Sequence, residues 1–435
     1  MSIPTLQGLQ TALSGLIAEQ TALDIAGNNI ANADTEGYSR ETVLLEPNAP
    51  IPIPSISAQT GMGAQLGAGV SVTTITRIRN EYLDAQYRTQ NSALSAATTK
   101  SEVLEQAQSA FNEPSSAGIA SQLSNFWSAW NTLAKSPTEA AKEAVVAAGR
   151  QLVTTFNQLS SQLSTISSQA SEQYNSLAGP GGEVEDYAKQ IAQLNGQIKL
   201  SEEAGQPPND MLDRRDELLD KLSALANISV SEQPDHTDTV TFGEAAEPLV
   251  EGTAVNWPQE LGASAGGRLG ALAELNSPTG ALTGLREGLD SVAATLASTV
   301  NEHLATPFFS GETAATLAVA VIPAEVQGSG SEASGGNEVA QEIAALRGGT
   351  AEQSYAALVE KVGSDVRTAN DEQTNLQTTV TAISDQRQAV SGVSLDEEMT
   401  NLITYQRGYQ ASARTLTAMS EMLETLIEHT GVVGL

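Results

Sequence analysis

The side chains able to do chemistry in this sequence are few and scattered. There are three histidines, His236, His303 and His429, and no two are spaced as zinc ligands are. Asp235-His236 with Asp238 is the nearest approach to a metal site, but it reads far better as a solvated loop. His303 follows a helical stripe, and His429 sits in the last turn of a predicted helix, where a cation favours the dipole. Cysteine is absent, which removes disulfides, thiolate metal centres and cysteine nucleophiles. Gly61, Gly63, Gly67 and Gly69 are not spaced as a dinucleotide fingerprint, and residues 262–269 (GASAGGRL) lack the Lys-Ser/Thr of a P-loop. Glu202-Glu203 and Asp396-Glu397-Glu398 fall on predicted helices as solvated or first-turn charges. No catalytic, cofactor-binding or metal-ligating set is expected. Trp127 and Trp130 could form a shelf for a ligand. Their helical spacing instead puts Trp130 on an apolar stripe for core packing, with Trp127 beside it and partly exposed.

Composition narrows the function classes further. The 435 residues carry 52 acidic and 21 basic side chains, a net charge of −31. Such a polyanion repels a phosphate backbone, which argues against nucleic-acid binding. Aromatics are only 4%, so the core is built from aliphatic residues, as suits helix bundles. The most apolar stretch, Leu317 to Val326, is too short to span a membrane and contains Pro323. No lysine or arginine precedes Arg40, so the beginning of the chain does not read as a conventional cleaved signal peptide.

The elements are laid out by periodicity. Leu9, Leu16, Leu23 and Ile30 are spaced by seven, interleaved with Leu6, Leu13, Gln20 and Gly27, which predicts a coiled-coil seam. At the other end Leu395, Leu402, Tyr409, Leu416 and Leu423 repeat by seven, interleaved with Met399, Gln406, Ala413, Ser420 and Ile427. Prolines and glycines at 47–75 predict a hairpin-like segment followed by a strand and then a helix near Tyr82. Long helical stripes run through 92–226, with a cap expected at Asn209, and continue through 267–304 and the last hundred residues. Short strands are expected within 227–262, and 305–336 loses the helical period. The expected fold is mainly α: an elongated multi-domain rod with paired N- and C-terminal coiled-coil helices, a long-helix bundle domain and a small β-containing insert. Residues 1–34 and 393–435 would form the paired ends. Residues 35–226, 263–304 and 337–392 would form the bundle with its hairpin, and 227–262 and 305–336 small β-rich inserts.

A lone amphipathic helix is marginal in water, so each end needs a partner, and the other end is the obvious one. Leu6, Leu9, Leu13, Leu16, Leu23, Ile30, Leu395, Met399, Leu402, Tyr409, Leu416, Leu423 and Ile427 are the expected packing contacts. Small and polar residues in the seams suit either helices that finish packing against neighbouring subunits or an ordinary loose bundle.

Asn28-Asn29-Ile30-Ala31-Asn32, then Thr35 and Gly37-Tyr38-Ser39-Arg40, resemble the signature after the first helix of the flagellar axial proteins, the family of rod, hook and hook-associated subunits. Residues 392–431 resemble the closing helix of that family along their whole length. Gly37-Tyr38-Ser39-Arg40 and Leu395-Asp396-Glu397-Glu398-Met399 are similar to the hook-associated form, as are residues 209–225 and 266–276. Glu36 stands where the family commonly has proline, and the middle is short, which implies a reduced outer domain. The resemblance implies a structural subunit exported through the flagellar type III pathway without cleavage. It implies a ring of copies at the hook–filament junction, outside the cell, between the hook subunit and a second junction protein. A FlgN-type export chaperone would cover the C-terminal helix. The alternatives are a hook or rod subunit, or a secreted adhesin.

Overall fold

A computed structural model describes residues 4–53, 64–243, 247–258, 265–327 and 337–429. The chain opens with α1 (Pro4–Ala31) and passes into a long antiparallel hairpin. In it β1 (Glu41–Pro47) pairs with β4 (Val70–Arg77), and β2 (Ile51–Ile53) with β3 (Ala64–Leu66). A bulge between Leu44 and Leu45 shifts the register. Five helices follow: α2 (Glu81–Phe111), α3 (Ile119–Lys135), α4 (Glu139–Ala178), α5 (Glu183–Glu203) and α6 (Asn209–Leu225). A small sheet of order β5-β6-β7-β8 comes next, from Ile228–Glu232, Asp238–Phe242, Val250–Glu251 and Ala254–Val255. Then come α7 (Gly267–Leu275), α8 (Ala281–Asn301), a short hairpin of β9 (Phe309–Ser310) and β10 (Ala318–Val319), α9 (Glu338–Ala345), α10 (Thr350–Ser391) and α11 (Leu395–His429). The molecule is mainly α and elongated, since the 42 residues of α10 alone span about 63 Å.

Local chemistry sets the boundaries. The Asn80 side chain accepts from the amides of Tyr82 and Leu83 and starts α2, and Asn112 ends it in the left-handed conformation at φ 50°. After Pro137, the Thr138 hydroxyl caps α4 by accepting from Ala141 N–H. Two boundaries differ from expectation. The stretch 267–304 is not one helix, because the turn Ser277-Pro278-Thr279-Gly280 separates α7 from α8. Asn209 does not cap α6: its amide donates to Ile75 O at 3.2 Å and ties the helix to the hairpin.

One continuous apolar core runs from Val103 on α2 to Ala369 on α10. Its densest part is aromatic. Phe126 lies 5.5 Å from both Phe308 and Phe309, and Trp130 lies 5.7 Å from Phe308. The segment around β9 and β10, expected as an outer insert, thus sends two rings into the bundle. Trp127 is also in the core, 2% exposed, rather than partly exposed as its position beside the stripe suggests. The reason is that α3 is covered by α4 on one side and α9 on another, so its buried arc is wider than one stripe.

Among the described residues, no buried residue of α1 or α11 belongs to this core. On α10 the apolar contacts stop at Ala369, and Val380 and Ile383 are buried outside the core. Beyond it α2 and α10 continue side by side through polar contacts. Asn370 donates to Glu105 (3.0 Å), Gln373 to Thr98 (3.3 Å), and the Arg387 guanidinium lies 4.2 Å from the Tyr87 ring centre.

Close packing makes opposite predictions for two helical glycines. A Cβ at Gly149 would lie 2.7 Å from Phe308 Cε1, whereas one at Gly284 would meet nothing within 4 Å. Gly149→Ala is expected to cost about 1–3 kcal/mol through overpacking. Gly284→Ala is expected to add up to about 1 kcal/mol through helix propensity. Denaturant midpoints of the two variants should move in opposite directions.

Candidate assembly site: the terminal helix pair and its polar joint

The two ends of the chain meet. Helices α1 and α11 lie antiparallel in constant register. Gly8 faces Met419, Gly15 faces Ser412, Glu19 faces Gly408, and Asn29 faces Glu398. The residues that α1 buries are small: Ala12, Ala18, Ala22 and Ala26, followed by Asn29. Alanine and glycine let two backbones approach closely, so they take the interior of the contact.

The leucine rows lie at its margins. Leu9, Leu16, Leu23, Ile30, Leu402, Tyr409, Leu416 and Leu423 are half-buried. Leu13, Leu395, Met399 and Ile427 are 45%, 52%, 52% and 76% exposed. The side chain of Leu6 lies outside the described residues. Gln20, Gly27, Gln406 and Ser420, expected in the seam, face solvent. Ile17, Ile403, Met422 and Leu426 are further large apolar side chains left exposed on the same two helices. The pair therefore closes through small residues and presents its large apolar ones outward, as an assembly surface does.

The motif after α1 forms the joint. The Asn29 side chain donates to Glu41 O (2.9 Å) and Glu398 Oε2 (3.3 Å), and its oxygen accepts from Glu41 N–H (2.9 Å) and Tyr38 OH (2.8 Å). One amide thus joins α1, β1 and α11. Burial, then Glu41 and Asp213, push the Tyr38 phenol far up, so it stays protonated and donates. Burial likewise raises the Glu41 carboxyl. Asn28 donates to Tyr38 OH (3.4 Å), and Asn32 donates to Asn28 Oδ1 (2.8 Å), holding the helix end. Gly37 turns the chain at φ 81°, a left-handed conformation that favours glycine. Arg40 pairs with Glu397 (2.7 Å), and its N–H donates to Ser391 O (2.8 Å).

A charged network anchors this joint to the bundle. Asp213 accepts from the Ser39 N–H (2.9 Å) and hydroxyl (2.7 Å) and pairs with Arg77 (2.6 Å). Asp216 pairs with Arg77 (2.9 Å), Arg88 (2.9 Å) and Arg79 (3.4 Å). Asp220 pairs with Arg88 (2.9 Å) and Arg387 (2.8 Å), and Asp84 with Arg79 (2.8 Å) and Arg387 (2.7 Å). Burial alone would raise the Asp216 carboxyl, but Arg79, Arg88 and Arg77 outweigh it and hold it at about 2. The sequence signal for this network is the spacing of Asp213, Asp216 and Asp220 by three and four. It puts all three on one face of α6, while Arg77 and Arg79 project from one side of the hairpin's end.

The other chemistry-bearing groups are engaged elsewhere. Asp235 binds Lys199 (3.0 Å) and Thr237, His236 meets Glu232 (3.1 Å), and His303 meets Glu342 (3.2 Å). Asp238 pairs with Arg215 (2.9 Å), although burial pushes its carboxyl up to about 6. The side chain of His429 lies outside the described residues.

Comparison with known proteins places this architecture. Residues 9–38 match the family model "Flagella basal body rod protein", and residues 385–428 match "Flagellar basal body rod FlgEFG protein C-terminal". Those two segments are the terminal pair and its joint, so the ends have the form of a flagellar axial subunit. Residues 104–263 match the model "Flagellar hook-associated protein FlgK helical domain". Flagellar hook-associated protein 1 of Bacillus subtilis (strain 168) is 30% identical over 507 aligned residues, covering 99% of each chain. The proteins of that name from Salmonella typhimurium and Escherichia coli K12 are 30% and 28% identical, over 56% of this chain and 42% and 43% of theirs. The solved flagellar hook junction protein FlgK from Burkholderia pseudomallei aligns at TM-score 0.46 and 25% identity, covering 51% of this chain and 44% of its own. The chain belongs to the flagellar hook-associated protein 1 family.

The network yields a prediction for acid stability. Asp216 has its carboxyl depressed in the folded state from 3.8 to about 2. Its contribution is therefore present above the unfolded value and is lost as pH falls through that window, to the extent of about 2 kcal/mol. Asp216→Asn should remove that slope. It should also cost roughly 3–5 kcal/mol at neutral pH, because three arginines lose a shared partner. Urea midpoints from pH 2 to 7 would read both effects.

Proposed function

We propose that this chain is a structural subunit of the bacterial flagellum that forms the junction between hook and filament and is required for the filament to assemble. Membership of the hook-associated protein 1 family supports this. The observation that carries it is the terminal pair, which leaves Leu13, Ile17, Met399 and Ile403 each 45% or more exposed while it is clamped to a folded bundle. Copies assemble side by side as a ring, with the hook subunit on one side and a second junction protein on the other.

Residues 1–34 and 393–435 act as the axial part. Residues 35–226, 263–304 and 337–392 form the bundle that braces it, the segment around β9 and β10 packs into that bundle through Phe308 and Phe309, and 227–262 form a reduced outer insert. The subunit works outside the cell, and we infer export by the flagellar type III route without cleavage. Before export a FlgN-type chaperone covers the apolar face of α11. The role is structural rather than enzymatic, in keeping with the engagement of Asp235, Asp238 and His303 in ion pairs and hydrogen bonds.

A strain lacking the gene is expected to make hooks without filaments and to release monomeric flagellin into the medium. Normal filaments in that strain would defeat the proposal, and missing hooks would indicate a rod or hook subunit instead. In a complemented strain, Leu13→Glu with Ile17→Glu is expected to give the same bare hooks. Because both side chains are exposed, the purified variant should keep its denaturation midpoint within about 0.5 kcal/mol of the parent.

A further inference from the structure

The contact between α1 and α11 is unusually uniform. One heptad row of α1 reads Gly8, Gly15, Ala22, Asn29, and the facing row of α11 reads Met419, Ser412, Tyr405, Glu398. A second row of α1 reads Ala12, Glu19, Ala26. Every position before Asn29 in the first row is a glycine or an alanine. Two contacts are tighter than the rest: a Cβ at Gly8 would lie 2.6 Å from Met419 Cε, and one at Gly408 would lie 2.5 Å from the Glu19 carboxylate. Both involve the far ends of flexible side chains, which a rotamer change moves aside, so these contacts choose the axial alignment only weakly. In coiled coils, one polar residue at a core position fixes register at some cost in stability. Asn29 is that residue here, 1% exposed and bonded to Glu398, which is 4% exposed. Next to it, Arg40 pairs with Glu397 at 2.7 Å.

We propose that Asn29–Glu398, backed by Arg40–Glu397, is a register pin that selects one axial alignment from several the seam would accept. Asn29 and Glu398 are positioning residues. They set which apolar side chains of α1 and α11 stand side by side on the outer face, and hence the shape offered to a neighbouring subunit. Cutting the pin leaves the pair associated but free to slip by one or two helical turns.

The chain has no cysteine, so introduced pairs report register cleanly. Gly15→Cys with Ser412→Cys reads the observed alignment. Gly15→Cys with Gly408→Cys or Leu416→Cys reads a slip of one turn, and with Tyr405→Cys or Met419→Cys a slip of two. One turn displaces the partner by about 5.4 Å along the axis, which takes it beyond disulfide reach. In the otherwise unaltered full chain, mild oxidation should join 15 to 412 and little else. Adding Glu397→Ala with Glu398→Ala should raise the slipped products roughly tenfold, the change expected from losing a hydrogen bond to a charged group. Glu398→Gln, which can still accept from Asn29, should keep the single alignment.

Three results would overturn the proposal. One is slipped products already abundant with the pin intact. Another is an unchanged pattern without it. The third is loss of every cross-link, which would make Glu398 necessary for pairing itself. The helical circular-dichroism signal of each variant checks that the bundle, which shares no buried apolar residue with the pair, remains folded.

Discussion

The structure depends on a charge-balanced joint. Four arginines, Arg77, Arg79, Arg88 and Arg387, meet four aspartates, Asp84, Asp213, Asp216 and Asp220, where the hairpin, α2, α6 and α10 converge. An apolar contact would do the same work with less directional constraint. Buried ion pairs bring their desolvation cost, but they fix geometry, because each guanidinium fits only one arrangement of carboxylates. The apolar core reaches this region only on α6, through Leu218, Leu219 and Leu222, and among the described residues no buried residue of the terminal pair belongs to it. The orientation of the ends relative to the bundle is therefore set by charge and hydrogen bonds.

The terminal pair is built on a division of labour among apolar residues. Small ones bring α1 and α11 together, and large ones remain at the margins or face outward. An isolated two-helix contact of this kind buries little, so its stability in the free chain is low compared with that of the bundle. The same economy leaves apolar surface available for contacts between subunits. Orientation and adhesion are thus supplied by different side chains, the first by Asn29, Arg40 and the aspartates, the second by the leucines, isoleucines and methionines.

Much of this was legible in the sequence, and the parts that were not have physical reasons. Heptad spacing located both terminal helices, and apolar periodicity located α3 to α6 and α8. It misassigned the inner face of the pair because leucine is the usual occupant of a seam, whereas close antiparallel approach favours glycine and alanine, as at Gly15 and Ala22. Trp127 was expected to be partly exposed because a stripe argument assumes one packing partner, and α3 has more than one. The motif Asn28 to Arg40 was recognisable, but its purpose was not. The partners of Asn29 and Ser39 lie on Glu398 and Asp213, far along the chain, and no local pattern reports such pairings. The aspartate stripe of α6 went unnoticed for the same reason: the arginines that cover it come from three other elements.

Asn29 and Glu398 are separated by 369 residues. Closing so large a loop brings no reward until the last helix exists, whereas the bundle can gather its contacts from segments made earlier. The order of events during synthesis is then built into the topology. The middle can consolidate while α1 is still single, and the two ends find each other last. Throughout that interval α1 is open to capture by another protein. The delay between making the two helices is a window in which binding of α1 competes with closure, and the chain's own connectivity sets the length of that window.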